Sequence, residues 1–194
     1  MSGTMPSTPV PNAVEVTSIS PTLVSVSHSL KRSVRRRGGG VQRWSIKLGF
    51  PAMARATAAP LEAFVMSQAG QYETFSYTPP YTLMEALGTY SGTVTVNGAH
   101  TAGDTTIAVS GSSGTLMAGS WVQFADHTKV YKVVADSTSS ITIFPALVED
   151  VANTTAVEYD APTFNVALTE DNFSFTFTGA PAYYNFQLNL VEIY

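Results

Sequence analysis

The sequence predicts a mainly β protein: a β-sandwich core with one flanking α-helix and a long basic β-hairpin, plus an inserted small β-barrel-like domain. Three observations carry this. Residues 22–30 and 43–50 alternate apolar and polar side chains with the period of a strand. Between residues 91 and 160, short β-branched and aromatic runs recur at regular spacing, separated by Gly, Asn, Asp and Ser. Only residues 53–70 carry a helical apolar face.

In chain order, residues 1–13 are rich in Pro, Ser and Thr and read as a flexible lead-in, without the basic and apolar regions of a signal peptide. Val24, Val26, His28 and Leu30 then share one face of a strand, and Trp44, Ile46, Leu48 and Phe50 share one face of the next. The segment between them, KRSVRRRGGGVQ, is expected at the tip of the hairpin, its glycines permitting a turn with positive φ. In the helix, Leu61, Phe64, Val65 and Ala69 align, Thr57 is the expected N-cap, Pro60 fits the first turn and Gly70 the position after the C-cap. An aromatic strand over 71–80 ends at two prolines. Strands at 93–96, 105–110, 119–126, 129–136 and 139–145 build the insertion. Beyond it, TFNVALTEDNFSFTFTG reads as two strands joined by the turn TEDN, with Phe173, Phe175 and Phe177 on one side. In the last strand Phe186, Leu188, Leu190 and Glu192 fall in one phase, with Tyr184 at its head. The organisation is therefore a lead-in (1–13), a discontinuous β-sandwich core (14–90 and 161–194) and an inserted small β domain (91–160).

The chain of 194 residues is long enough to bury a core without staples, and it contains no cysteine. That excludes disulfides, thiolate zinc sites and cysteine nucleophiles. No apolar run approaches the ~20 residues that span a bilayer as a helix. Charged residues make up 12 %, against about 25 % in a typical soluble domain, a composition that suits a surface covered by neighbours. The charges are also divided by sign. Residues 1–56 hold eight bases against one acid, a net +7, and residues 57–194 hold two bases against thirteen acids, a net −11. One copy can thus present its basic segment to the acidic body of the next, and opposite fields both steer and orient such a contact. Lys31, Arg32, Arg35, Arg36, Arg37 and Arg43 are the candidate intersubunit residues. The alternative is phosphate neutralisation with a steep salt dependence. Against it stand the acidic body and the lack of aromatics interleaved with the arginines. A membrane surface is less suited still, because no apolar face accompanies the charges.

Nothing in the sequence selects a catalytic, metal or cofactor residue, and the chain reads as a non-enzyme. His28, His100 and His127 lie far apart and in no ligand spacing. There is no G-x-S-x-G elbow. Glu149-Asp150 and Glu170-Asp171 are paired acids beside turn residues, and no pair is marked as flanking a scissile bond. Gly38–Gly40 lead into a strand rather than a helix N-terminus, unlike a phosphate loop. Trp121, Phe124 and Tyr131 are the insertion's candidates for stacking on sugar rings, although alternation places some of them in the core.

The order of these blocks carries a resemblance. A basic hairpin leads into QRWSIKLGFPAMARATAAPLEAFVMSQAGQYETFSY. The insertion with AGDTTIAVSG and MAGSWVQFADHTKVYKVVAD follows, and then FNVALTEDN and YYNFQLNLVEIY. From about residue 20 the chain resembles the distal tail proteins of tailed bacteriophages and their minor tail protein relatives. The resemblance implies a virion location in the tail, and a homo-oligomeric ring, usually of six copies, that joins the tail tube to hub, fibre or other host-recognition proteins. It implies a hairpin reaching toward the adjacent subunit. Tube, head–tail and short-tail adaptors share this texture and stay open as alternatives, as does a glycan- or receptor-binding module.

Overall fold

The computed structural model describes residues 3–25, 34–37, 42–137, 139–179 and 183–194. Strand accounts for 43 % of it and helix for 9 %, so the mainly β expectation holds. Two buried clusters organise the chain, one in a sandwich-like body and one inside a barrel-like sheet.

The body is built on a five-stranded antiparallel sheet. Its strands are β1 (Ala13–Ile19), β4 (Arg43–Gly49), β6 (Phe75–Tyr77), β13 (Phe164–Leu168) and β16 (Gln187–Glu192), in the spatial order β1-β4-β16-β13-β6. The alternation read in residues 43–50 is realised in β4, where Trp44, Ile46 and Leu48 are buried and Arg43 and Lys47 exposed. β4 pairs with residues 13–19, however, and not with 22–30: Val14 lies opposite Leu48 and Val16 opposite Ile46. The reason is that Val14 and Val16 themselves alternate with Glu15 and Thr17, which makes an earlier strand of matching face. Residues 22–30 supply instead β2 (Thr22–Ser25), paired with β3 (Val34–Arg37) in a separate two-stranded sheet.

The N-terminal segment is not a free lead-in. The Met5 amide donates to the Ser76 carbonyl at 2.9 Å and the Ser76 amide to the Gly3 carbonyl at 3.0 Å, so the segment lies against β6. Met5 is buried in the body cluster, an apolar anchor within the Pro/Ser/Thr composition.

After β5 (Met53–Ala54), helix α1 (Arg55–Ser67) lays Ala58, Leu61 and Val65 on the sheet, while Phe64 meets Phe75 edge-on at 5.2 Å. The helix starts earlier than its sequence signals suggest. Ala54 is the N-cap, without a side-chain hydrogen bond, so Thr57 lies inside the helix and Pro60 is past the first turn. Pro60 is exposed, so its missing N–H costs one solvent-side helical bond and no packing. At the far end Gln68 is the C-cap, and Ala69 and Gly70 both take positive φ, 52° and 67°. A short helix, α2 (Tyr81–Met84), follows β6.

The second sheet holds β7 (Thr95–Val96), β8 (Thr106–Ser110), β9 (Trp121–Phe124), β10 (Val130–Ser137), β11 (Ser140–Phe144) and β12 (Val157–Glu158), in the order β12-β9-β10-β11-β8-β7. Its two edges nearly close on each other. The Val96 amide donates to the Thr155 carbonyl and the Val157 amide to the Val94 carbonyl, both at 2.9 Å. Val96, Ile107, Phe124, Tyr131 and Ile141 are among the side chains that fill the interior.

The expected hairpin over 164–178 does not form. β13 lies in the large sheet, whereas β14 (Thr176–Thr178) pairs with β15 (Tyr183–Asn185), which pairs in turn with β5. This small sheet closes the body cluster through Tyr184 and Met53, and Phe173 and Phe175 pack against that cluster from the loop. The turn residues thus carry the chain from one layer to another, which local patterning does not distinguish from a hairpin.

Candidate functional site

The basic arm is the feature that the sequence singles out, and it extends from the body rather than packing into it. Among the described residues β2 and β3 pair only with each other, and Thr22, Leu23 and Val24 are exposed. Arg35, Arg36 and Arg37 lie within β3, opposite Val24, Leu23 and Thr22, so they belong to the shaft of the arm and not to a terminal turn. Lys31 and Arg32 fall outside the described residues, as do Gly38–Gly40 and His28. Arg43 opens β4 and is exposed at the root of the arm.

Directly behind Arg43 lies a network that the sequence only partly announces. Glu192, in the apolar phase of β16, is fully buried and forms an ion pair with Lys129, also fully buried, from the turn between β9 and β10. The Glu192 carboxylate also accepts the Val130 amide at 3.0 Å and the Trp44 amide at 3.2 Å. Lys129 donates to the side-chain and backbone oxygens of Gln42, at 2.8 and 3.0 Å. The Tyr194 hydroxyl donates to the same Gln42 carbonyl at 2.8 Å, and its ring lies 4.4 Å from the ammonium. Burial pushes the Glu192 carboxyl up and the Lys129 ammonium down. The attraction between the two groups opposes both shifts and favours the charged pair. Three parts of the chain therefore meet at one buried point: the arm's root, the barrel and the C-terminal strand.

The barrel is seated by its outer face. Trp121 stacks edge-on against Trp44 at 4.8 Å and against Phe164 at 5.9 Å, with the Lys132 ammonium 4.0 Å from its ring. The Trp44 indole N–H donates to the Val130 carbonyl at 2.8 Å. Gln123 and Thr163 exchange two hydrogen bonds, at 2.9 and 3.0 Å. This placement corrects the reading of Trp121, Phe124 and Tyr131 as glycan-stacking rings. Trp121 is buried between barrel and body, and Phe124 and Tyr131 are wholly inside the barrel. None presents a ring face to solvent, because Trp121 is covered by the body and Phe124 and Tyr131 point into the barrel interior.

The two described histidines, His100 and His127, have structural partners. His100 accepts the Ala108 amide at 3.0 Å and lies 3.4 Å from Asp104. His127 is buried, with its Nδ1 3.0 Å from the Tyr131 hydroxyl. Among the described residues no three His, Asp or Glu side chains converge as metal ligands would. No helix is long and apolar enough to cross a membrane, among the described residues. No protein-family model matches this chain, and no curated protein sequence does.

Proposed function

We propose that the chain is a non-enzymatic structural subunit of a tailed-bacteriophage virion, a tail-tip or baseplate ring adaptor that joins the tail tube to host-recognition proteins. The observation that carries this reading is the basic arm. It is a two-stranded ribbon bearing Arg35, Arg36 and Arg37, its β2 strand exposed, and rooted through Gln42 in a buried network. Beyond residue 56 the rest of the chain carries a net −11. An arm held at a fixed root and opposite in charge to the body suits a joint between copies. β1 adds a second surface of the same kind. It is a seven-residue edge strand whose outer side has no partner among the described residues, and edge strands are natural joints in symmetric assemblies. The resemblance of the chain's block order to distal tail proteins supplies the virion context.

The test is native mass spectrometry of the full-length protein across a salt series, with duplex DNA added in parallel. Closed oligomers that dissociate with salt and ignore DNA are the expected result. A monomer that takes up DNA in a salt-dependent manner would overturn the ring adaptor in favour of a connector on the genome path.

A further inference from the structure

We propose that the open cleft between β16 and the loop joining β13 to β14 binds a neutral saccharide. The cleft encloses about 390 Å³, and its lining includes Glu170, Asn172, Phe173, Asn185, Gln187 and Asn189. Three of its four carboxamides come from one alternating run. Asn185, Gln187 and Asn189 are exposed, while Tyr184, Phe186, Leu188 and Leu190 between and beside them are buried. Their backbone is held by sheet pairing, so the amides stand at strand spacing on a rigid support. Among the described residues none of the four side-chain amides is engaged in a hydrogen bond, so their donors and acceptors are available.

The chemistry of the lining selects the ligand class. A carboxamide offers a donor and an acceptor side by side, which matches neighbouring sugar hydroxyls that both donate and accept. Phe173 is half-buried and backed by Phe186 at 5.7 Å and Phe175 at 5.9 Å, so it offers a fixed apolar surface for the C–H face of a pyranose ring. Among the described residues no Lys, Arg or His is part of the lining and Glu170 is its one charged residue, which disfavours phosphate, sulfate and uronate groups; Lys47, opposite Asn189 on β4, stands outside the lining. A purely apolar ligand would strip water from the amides without replacing their hydrogen bonds. An extended peptide would find no strand to join at β16, because β4 and β13 already occupy both of its edges. The site does not rest on ring assembly and stands or falls separately from it.

The experiment is a side-chain-amide NMR titration of the full-length protein with cellobiose, lactose and N,N′-diacetylchitobiose, alongside a glycan array. Inorganic phosphate serves as the anion control. The expected result is saturable shifts of the Asn172, Asn185, Gln187 and Asn189 amides with at least one sugar. Affinity should be on the order of millimolar, as befits a shallow and solvated site. The double variant Gln187→Ala/Asn189→Ala should bind roughly tenfold or more weakly, and Phe173→Ala should weaken binding too. The two amides are exposed, so the double variant keeps its fold even if the Phe173 variant does not. A blank array with no shifts, equal binding by the double variant, or saturation by phosphate in place of sugar would each overturn the proposal.

Discussion

The Lys129 ammonium donates to both oxygens of Gln42, at 2.8 Å to the side chain and 3.0 Å to the backbone, and thereby ties the barrel to the root of the basic arm. The same ammonium pairs with Glu192, so one fully buried cation holds two segments that are distant in sequence. Removing one partner of a buried pair leaves an uncompensated charge and typically costs about 3–5 kcal/mol. Glu192→Leu should be the more damaging change, because it also orphans the Trp44 and Val130 amides. Lys129→Met should cost less, since those two amides still hold the carboxylate. The double variant should lose less than the two singles together, by about 0.5–3 kcal/mol. Urea denaturation of the four proteins measures this, and strict additivity would mean that the pair is not energetically coupled.

Trp121 makes a second prediction about the same joint. It belongs to a barrel strand yet is buried in the body cluster, so a side chain supplied by the barrel completes the core of the body. Trp121→Ala should cost about 3–5 kcal/mol, as large aromatic truncations do. It should also uncouple the two cores. In the parent protein, near-ultraviolet and far-ultraviolet signals should unfold together in urea; in the variant their midpoints should separate. Coincident curves in the variant would show that the Gln123–Thr163 bonds and the Lys129 network suffice to couple the units.

Much of this fold is legible from local periodicity. The phase of β4 and β16 follows from the alternation that a buried face imposes, and Leu61 and Val65 on the face of α1 from the helical period, whereas Ala69 lies exposed beyond the helix end. Pairing is less legible because it is not local. β1 and β2 have similar texture, and only register against β4 decides that Val14 and Val16 form the sheet edge. The loop after β13 looks like a hairpin turn but crosses between layers, for the same reason. Glu192 was visible in the apolar phase of its strand, a signal that a buried carboxylate needs a cation. Lys129 was not, because a lysine at the head of an expected strand (129–136) reads as solvated. Alternation marks some of the insertion's aromatics as core, and the structure buries all three, because the body covers Trp121 as well. The carboxamide run Asn185, Gln187, Asn189 was present in the sequence as the polar phase of a strand. Its convergence with Phe173 and Asn172 depends on a loop trajectory that only the folded chain reveals.

Gly70 is expected to tolerate no side chain. Its φ is 67°, and a Cβ built there would lie 2.6 Å from the Asp171 carboxylate oxygen and 3.1 Å from the Asp171 Cα. The same carboxylate accepts the Gln71 amide at 3.1 Å, so Asp171 cannot move aside without losing that bond. Left-handed backbone costs a non-glycine residue about 1–3 kcal/mol before the clash is counted. Gly70→Ala should therefore destabilise the protein by at least about 1 kcal/mol in urea unfolding. An unchanged midpoint would mean that the helix end relaxes freely around Asp171.

The arginine arm should matter to assembly and little to the stability of one copy. Among the described residues β2 and β3 pair only with each other, so Arg35→Ala, Arg36→Ala and Arg37→Ala together should leave the urea midpoint of the body unchanged. If each arginine meets an acid on a neighbouring copy at an exposed contact, each pair is worth about 0.2–1 kcal/mol. Losing three then weakens association by a few-fold to roughly a hundredfold. The triple variant should also assemble with less dependence on salt, since exposed pairs are screened beyond about 10 Å at 0.1 M ionic strength. Replacing the three arginines by lysine should restore most of the assembly if net charge is what the arm supplies. If only arginine works, the acceptors are bidentate carboxylates that read the planar guanidinium. Sedimentation velocity at two salt concentrations separates these outcomes, and wild-type assembly by the alanine variant at both would remove charge complementarity as the joint.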